Sequence, residues 1–218
     1  MTQNGAAKQD DINTDARIPS SVTFALLEKL QNENLVDLEN GLVEVDDSAK
    51  VKLAVKAVEL GAGVERISDF LSWREFEEIA SVALDLNGYV AARNVHFTQG
   101  GRRWEIDVVG CKKPLVVCID CKQWHHGMNP STLARIAESQ ARRVDAFSKA
   151  LPNVKLALPC VKWEKAQFIP VIVSLISGGS KFFGRVPVVP VLQLQDFISQ
   201  LPLQMDSLKY FTREFSHL

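Results

Sequence analysis

The segment Leu115–Lys122 constrains the fold of this chain more than any other. It opens with the apolar run Leu-Val-Val-Cys-Ile and ends with Asp120 and Lys122 two residues apart. A short continuous apolar run is typical of a strand buried in a sheet. Because side chains alternate along a strand, both charged groups are expected on one face. A carboxylate that holds a cation, beside an ammonium that stabilises phosphate charge, suits metal-dependent phosphodiester cleavage.

Charge is concentrated around this segment. The 218-residue chain has a net charge of -1. Residues 101–150 contain nine Lys/Arg against five Asp/Glu, which is +4, and the remainder holds sixteen against twenty-one, which is -5. The local excess of positive charge indicates a partner that carries phosphate.

The length of the chain suits one good-sized domain, or a core with a small appendage. No apolar run approaches the roughly 18 to 20 residues that a membrane helix needs. The chain has no basic start followed by an apolar stretch, so a secretory signal is not expected. We therefore expect no membrane contact and a cytoplasmic location.

The cysteines Cys118 and Cys121 are spaced as CxxC, a pattern that also occurs in zinc and redox sites. On a strand, positions three apart point to opposite faces, and no second CxxC completes a tetrahedral site. Buried free thiols are the prediction.

The N-terminal part divides into two segments. Residues 1–20 are polar without an apolar period, and a disordered tail is expected. Residues 21–71 predict a helix, a hairpin around Asn40-Gly41 and a second helix. This small unit is similar to the back half of a winged-helix domain, so it could dock DNA. The acidic composition of the segment instead favours a helical cap that packs on the main domain, residues 72–218.

The main domain is predicted to begin with the helix Trp73–Asn87, in which Glu77 falls at the edge of the apolar arc. The strands Tyr89–Gln99 and Trp104–Gly110 then form an antiparallel meander with Leu115–Lys122. Strict alternation in the middle strand predicts Asp107 on the face opposite to Trp104, Ile106 and Val108.

A long helix is predicted from Ser131 to about Leu151, with Gln140 in its buried row. A buried amide needs hydrogen-bond partners, so Gln140 is satisfied by the core or lines a site. Val186–Leu192 contains two prolines, which predicts an edge strand.

Three acids follow one another in this order: Glu77, Asp107 and Asp120. Adjacent antiparallel strands bring Asp107 and Asp120 within a few ångströms, where two carboxylates repel by about a few kcal/mol. A divalent cation removes that repulsion, and hard oxygen ligands favour Mg²⁺ or Mn²⁺. Structural ion pairs with arginines are the alternative explanation.

These residues resemble the signature of the PD-(D/E)xK nucleases. Phe76-Glu77 with Gly88-Tyr89 is similar to the first motif of the family, Glu105-Ile106-Asp107-Val108 to the second, and Ile119-Asp120-Cys121-Lys122-Gln123-Trp124 to the third. The form is closest to Mrr-type restriction endonucleases and archaeal Holliday-junction resolvases, and residues 73–77 also resemble an uncharacterised archaeal group. The resemblance covers about residues 72–151.

The resemblance implies a restriction-endonuclease-like α/β fold, with a three-layer core in which a mixed central sheet is flanked by helices. It implies a Mg²⁺-dependent endodeoxyribonuclease. Asp107 and Asp120 would bind Mg²⁺ (or Mn²⁺) with a backbone carbonyl of Ile119 or Cys121. Glu77 would hold a second ion or its water, and Lys122 would orient the attacking water.

The chain departs from the family at three positions. Ile106 replaces the usual proline before Asp107, and Asp120 stands where glutamate is commoner. Gln140 resembles the glutamine of a Gln-x-x-x-Tyr motif, but Val144 takes the tyrosine position. A degenerate nuclease fold kept for binding nucleic acid or protein is therefore an alternative, as is a nuclease that acts on RNA.

Several side chains are predicted to contact DNA, which could be branched. Trp124 could stack on a base or close the sheet edge. The turn residues flank the predicted site, although solvated turn charges are equally compatible with the pattern, and two arginines lie beside Gln140. The predicted basic contacts are Arg102, Arg103, Lys112, Lys113, Arg142 and Arg143. Family members that cut both strands are often dimers, so a homodimer is expected.

Overall fold

The computed structural model describes residues 6–63, 67, 73–122, 129–151, 157–174 and 181–215. The chain divides into two compact units, residues 1–75 and 76–218. Within the described ranges, no helix is both long and apolar enough to cross a bilayer.

The N-terminal unit combines helices with a small antiparallel sheet. Its elements are β1 (Ala6–Lys8), α1 (Gln9–Ala16), α2 (Ser20–Asn32), β2 (Asp37–Glu39), β3 (Leu42–Glu44) and α3 (Asp47–Glu59). The hairpin at Asn40-Gly41 is confirmed, since both residues have positive φ, 50° and 76°, as a tight two-residue turn requires.

A disordered tail over residues 1–20 is the wrong expectation for residues 6–16. These residues form β1 and α1, and β1 pairs with β3 to give the strand order β1-β3-β2. The pairing of β1 satisfies backbone groups along the open edge of the hairpin. A polar composition does not reveal such pairing, because the hydrogen bonds come from the main chain.

The second unit is built on a seven-stranded sheet. From residue 73 onward the elements are α4 (Trp73–Leu86), β4 (Val90–Gln99), β5 (Arg102–Lys112), β6 (Leu115–Lys122), α5 (Pro130–Ala150), β7 (Lys165–Ser174), β8 (Lys181–Phe183), β9 (Val186–Pro190), α6 (Leu194–Gln200) and β10 (Phe211–Glu214).

The sheet is mixed, as predicted. Its order is β4-β5-β6-β7-β9-β8, and β10 pairs with β7. The first three strands form the expected antiparallel meander, whereas β6, β7 and β9 run parallel. The strand β9 pairs with β7 on one side and β8 on the other, so the edge position predicted from its prolines is wrong.

Helices cover both faces of the sheet and complete the α/β architecture. On β6, Val117, Ile119 and Cys121 belong to the core cluster shared with α4 and α6. The alternate residues Val116 and Cys118 belong to the cluster shared with α5. Because every residue from Leu115 to Cys121 is buried, β6 is the central strand that its apolar run predicted.

Candidate active site

The candidate site forms where β5 and β6 stop pairing. Their ladder runs from Lys112↔Leu115 to Val108↔Ile119 and ends there. Beyond that point the Asp107 carboxylate accepts a hydrogen bond from the backbone N–H of Cys121, with Oδ2 2.7 Å from the nitrogen. A side chain thus replaces the carbonyl that a continued ladder would supply, and this fixes Asp107 between the two strands.

The alternation predicted for β5 is interrupted at the same place. Val108 packs on the α4 side, but Ile106 and Val109 both pack on the α5 side. The β4–β5 ladder skips from Arg93↔Val108 to Val95↔Ile106, and the intervening Asn94 has a left-handed backbone with φ 52°. The expectation that Ile106 and Val108 share a face is therefore wrong, and the change of face falls opposite Asn94, where the β4–β5 pairing is interrupted.

Asp120 and Lys122 lie on the same face, as the sequence predicts. The Lys122 ammonium donates to both Asp120 oxygens, with Nζ 3.0 Å from Oδ1 and 2.9 Å from Oδ2. Arg143 of α5 also donates, through Nη1, to Oδ1 of Asp120. The Asp120 side chain is only 3% exposed, so two cations compensate a carboxylate that is almost fully removed from water.

Gln140 is buried and finds its partners in the core. Its Nε2 donates to the carbonyl of Cys118 at 2.9 Å, and the carbonyl of Val171 lies at 3.5 Å. Its Oε1 accepts a hydrogen bond from Nη1 of Arg143 at 2.9 Å. The amide therefore satisfies backbone of the central strands and at the same time holds the arginine that reaches Asp120.

Burial and neighbouring charges shift the pKa values of two groups in the site. Burial, and then the negative charge of Asp120, raise the pKa of Asp107 to about 6. Burial and the charges of Asp107, Glu77 and Asp120 raise the pKa of the Cys121 thiol well above its usual value. Glu77 is 4% exposed on α4. Three carboxylates and Lys122 are thus all close enough to act on the Cys121 thiol.

Glu77, Asp107 and Asp120 do not form one group of three side-chain ligands in this arrangement. Among the described residues, no three His, Cys, Asp or Glu side chains are grouped so that they could hold one metal ion. Asp107 and Asp120 are brought together at the end of the β5–β6 ladder, whereas Glu77 approaches from the helical layer. Asp120 is oriented by Lys122 and Arg143.

The basic turn residues divide between two ends of the sheet. Arg102 and Arg103 are exposed where β4 turns into β5, and the Arg102 guanidinium stacks on Trp104 at 4.1 Å. Lys112 and Lys113 lie at the β5–β6 turn, and seven residues of β6 separate this turn from Lys122. At about 3.3 Å per residue this is roughly 23 Å.

Lys112 and Lys113 therefore do not flank the site, contrary to the prediction from their sequence position. Lys112 instead donates to the carbonyl of Asn87 at 2.8 Å and lies over the Tyr89 ring. Arg142 is exposed on α5. Trp124 lies outside the described residues.

Two contributions to the site were missed by reasoning from sequence. One is the Cys121 N–H, a main-chain donor with no sequence signal. The other is Arg143, which was expected to contact nucleic acid but is paired with Asp120. Its position three residues after Gln140, on the same face of a helix, was the available signal. The CxxC prediction is confirmed, since Cys118 and Cys121 are free, buried and belong to different clusters.

Comparison with known proteins identifies a related family. A family model described as a restriction endonuclease matches residues 68–153. An uncharacterized protein of Archaeoglobus fulgidus is 30% identical over 132 residues, which are 60% of this chain and 92% of that protein. The matched region of the family model includes β5, β6 and α5, the elements that carry the site.

Solved structures also match, at low similarity. A protein of unknown function, AF1548, is 17% identical over 45% of this chain and 46% of its own, with a TM-score of 0.31. Protein VC1899 from Vibrio cholerae is 15% identical over 94% of this chain and 47% of its own, with a TM-score of 0.38. The chain spans about half the length of each of these two proteins.

Proposed function

The chain belongs to the PD-(D/E)xK nuclease superfamily, with a catalytic domain of the Mrr restriction-endonuclease type, and from this we propose that it is a metal-dependent endonuclease that hydrolyses DNA phosphodiester bonds. One observation carries the proposal. At the end of the β5–β6 ladder, two buried carboxylates, Asp107 and Asp120, stand beside the Lys122 ammonium.

The chemistry of this donor set fits a hard divalent cation. Asp107 and Asp120 offer oxygen ligands, and the pKa of Asp107 is raised first by burial and then by the charge of Asp120. We assign Mg²⁺ or Mn²⁺ to these two residues with the backbone carbonyl of Cys121, and Glu77 to a supporting position. A cation bound there would polarise the phosphate and lower the pKa of water.

The side chains of the site then have separate tasks. The Cys121 N–H fixes the orientation of Asp107. Asp120 positions the ammonium of Lys122, which would stabilise negative charge that develops on the phosphate and orient the attacking water. Gln140 contributes indirectly, because it connects the backbone of β6 to Arg143.

Contacts with the DNA backbone are assigned to the site end of the sheet. Arg102 and Arg103 at the β4–β5 turn, with Arg142 on α5, would neutralise phosphates. Trp124 is proposed as a base-stacking residue. Lys112 and Lys113 are left out of this interface because of their distance from Lys122.

Cleavage assays test the proposal. The 218-residue chain should nick or cut supercoiled plasmid, flap or four-way-junction DNA in Mg²⁺ or Mn²⁺, and Asp107→Ala should abolish cutting. Cutting in EDTA, or cutting that Asp107→Ala leaves intact, would overturn it. Structured RNA in the same assay distinguishes a ribonuclease, and sedimentation with and without DNA tests the proposed homodimer.

A second function is favoured by one specific observation. The buried charge of Asp120 is already compensated by Lys122 and Arg143. A binding module on the nuclease fold would need no further cation at this position. Tight DNA binding without cleavage in either metal is the result that would support this function over the first.

A further inference from the structure

Arg143 makes an ion pair with Asp120, one of the two side chains to which the proposed function assigns the metal ion. The Asp120 side chain is 3% exposed, whereas the Arg143 side chain is 24% exposed. Arg143 is therefore the solvent-accessible partner of this ion pair, and Asp120 is the buried one.

Gln140 holds the Arg143 side chain in this position. Its Nη1 bonds both Oδ1 of Asp120 and, at 2.9 Å, Oε1 of Gln140. Gln140 is 1% exposed and is anchored on the Cys118 carbonyl. A guanidinium has five N–H donors, and both acceptors found among the described residues use the same nitrogen. The other donors form a planar fork of the kind that binds two phosphate oxygens.

We propose that Arg143 is a positioning residue that alternates between two anions: Asp120 when the site holds no cation, and a phosphate group of the nucleic acid when it does. This inference rests on the proposed nuclease function and adds a coupling between metal loading and substrate binding. The physical reason is charge repulsion. A divalent cation and a guanidinium on one carboxylate are like charges a few ångströms apart in a partly buried site.

Replacement of Arg143 is expected to tighten metal binding, the opposite of what loss of a supporting residue would do. Removal of a residue that merely supports the site would weaken metal binding. Removal of a competing cation tightens it. In Arg143→Gln, we expect Mn²⁺ to bind at least tenfold more tightly in the absence of nucleic acid. Arg143→Lys keeps the charge, so its Mn²⁺ affinity should stay within about threefold of wild type.

The matched control is Arg135→Gln. Arg135 lies on the same helix, is exposed, and is eight residues, or about 12 Å of helix rise, from Arg143. Arg135→Gln removes one positive charge but no contact with Asp120, so the Mn²⁺ affinity of this variant should change less than twofold. An equal shift in Arg135→Gln would show a general charge effect and overturn the proposal.

The experiment uses the whole 218-residue chain, freed of metal with EDTA and titrated with Mn²⁺ by calorimetry. Thermal unfolding is the second measurement. In Arg143→Gln, less positive charge offsets the repulsion between Asp107 and Asp120. Mn²⁺ should therefore raise the melting temperature of this variant more than that of wild type. A variant that folds only with Mn²⁺ would support the proposal as well.

Nucleic-acid binding in Ca²⁺ gives a third readout, since the guanidinium is predicted to move to phosphate. Arg143→Gln should weaken duplex binding about tenfold in Ca²⁺ while tightening Mn²⁺ binding without DNA. Mn²⁺ binding that is equal or weaker in Arg143→Gln overturns this inference alone. Absence of Mn²⁺ binding in both wild type and Arg143→Gln overturns the proposed metal-dependent function, and this inference with it.

Discussion

The two ends of the β5–β6 pair contain similar residues in very different surroundings. At the turn end the ladder is complete, and Lys112 and Lys113 are exposed. At the other end the ladder stops, and an acid from each strand is buried. The difference shows that strand separation, more than residue type, creates the site, because it removes carbonyl partners and lets Asp107 turn inward.

The largest expected contrast between these ends concerns the lysines. Lys122→Met should reduce DNA cleavage by about 10²- to 10³-fold, the usual loss when one donor to a developing charge is removed. The cleavage rate of Lys113→Met, at the turn end, should stay within about twofold of wild type. Single-turnover cleavage of a plasmid at saturating Mg²⁺ measures both. Equal losses in the two variants would show that the ends are functionally alike.

Asp107, at the end where the ladder stops, should make the free energy of unfolding depend on pH. Because burial and Asp120 raise the pKa of Asp107 to about 6, folding favours its protonated form. Its contribution is fully present below the ordinary value near 3.8 and is lost as pH rises through about 6. At 1.36 kcal/mol per pKa unit, the metal-free protein should lose up to about 3 kcal/mol from this group.

Urea unfolding in EDTA between pH 4 and 7 measures this effect. Asp107→Asn cannot ionise but can still accept the Cys121 N–H, so it should flatten this part of the profile. A profile that Asp107→Asn leaves unchanged would mean that another group titrates in this range.

Loss of Gln140 should affect stability by an intermediate amount. Gln140→Leu fills a similar volume but leaves the Cys118 carbonyl and one Arg143 donor without their partner. An unsatisfied buried polar group costs about 1 to 3 kcal/mol. Equilibrium urea denaturation gives the change, and Ser139→Leu, half-buried on the same helix, is the comparison variant. A loss below about 0.5 kcal/mol in Gln140→Leu would contradict an anchoring role.

The smallest expected contrast concerns DNA affinity. Arg102→Ala with Arg103→Ala should weaken duplex binding about tenfold and reduce the salt dependence of binding, since each phosphate contact releases counterions. Lys112→Ala with Lys113→Ala removes the same charge at the turn end and should weaken duplex binding less. Fluorescence anisotropy at two salt concentrations measures both. A larger effect from the lysine pair would place the DNA at the other end of the sheet.

Local patterns predicted much of this molecule because they depend on neighbours in sequence. The apolar run of β6 predicted a buried central strand, and the spacing of Asp120 and Lys122 predicted their shared face. The Asn40-Gly41 turn predicted a hairpin. Gln140 was predicted to be buried with partners, and it is.

Predictions failed where one element depends on another that is distant in sequence. The prolines of β9 indicated an edge strand, but parallel pairing with β7 and antiparallel pairing with β8 place it inside the sheet. Residues 6–16 lack an apolar period, yet β1 is ordered by backbone pairing. The alternation of β5 is reversed opposite Asn94, a feature of its neighbour β4.

The sequence by itself determined the order of the charged residues, the type of element that carries each one, and the family to which the chain belongs. Only the tertiary structure decided which charges meet. Alternation and helical period specify directions within one element, but contacts between elements depend on where a ladder ends. The β5–β6 ladder ends at Val108↔Ile119, so Asp107 turns to the Cys121 N–H and Asp120 meets Arg143 of α5.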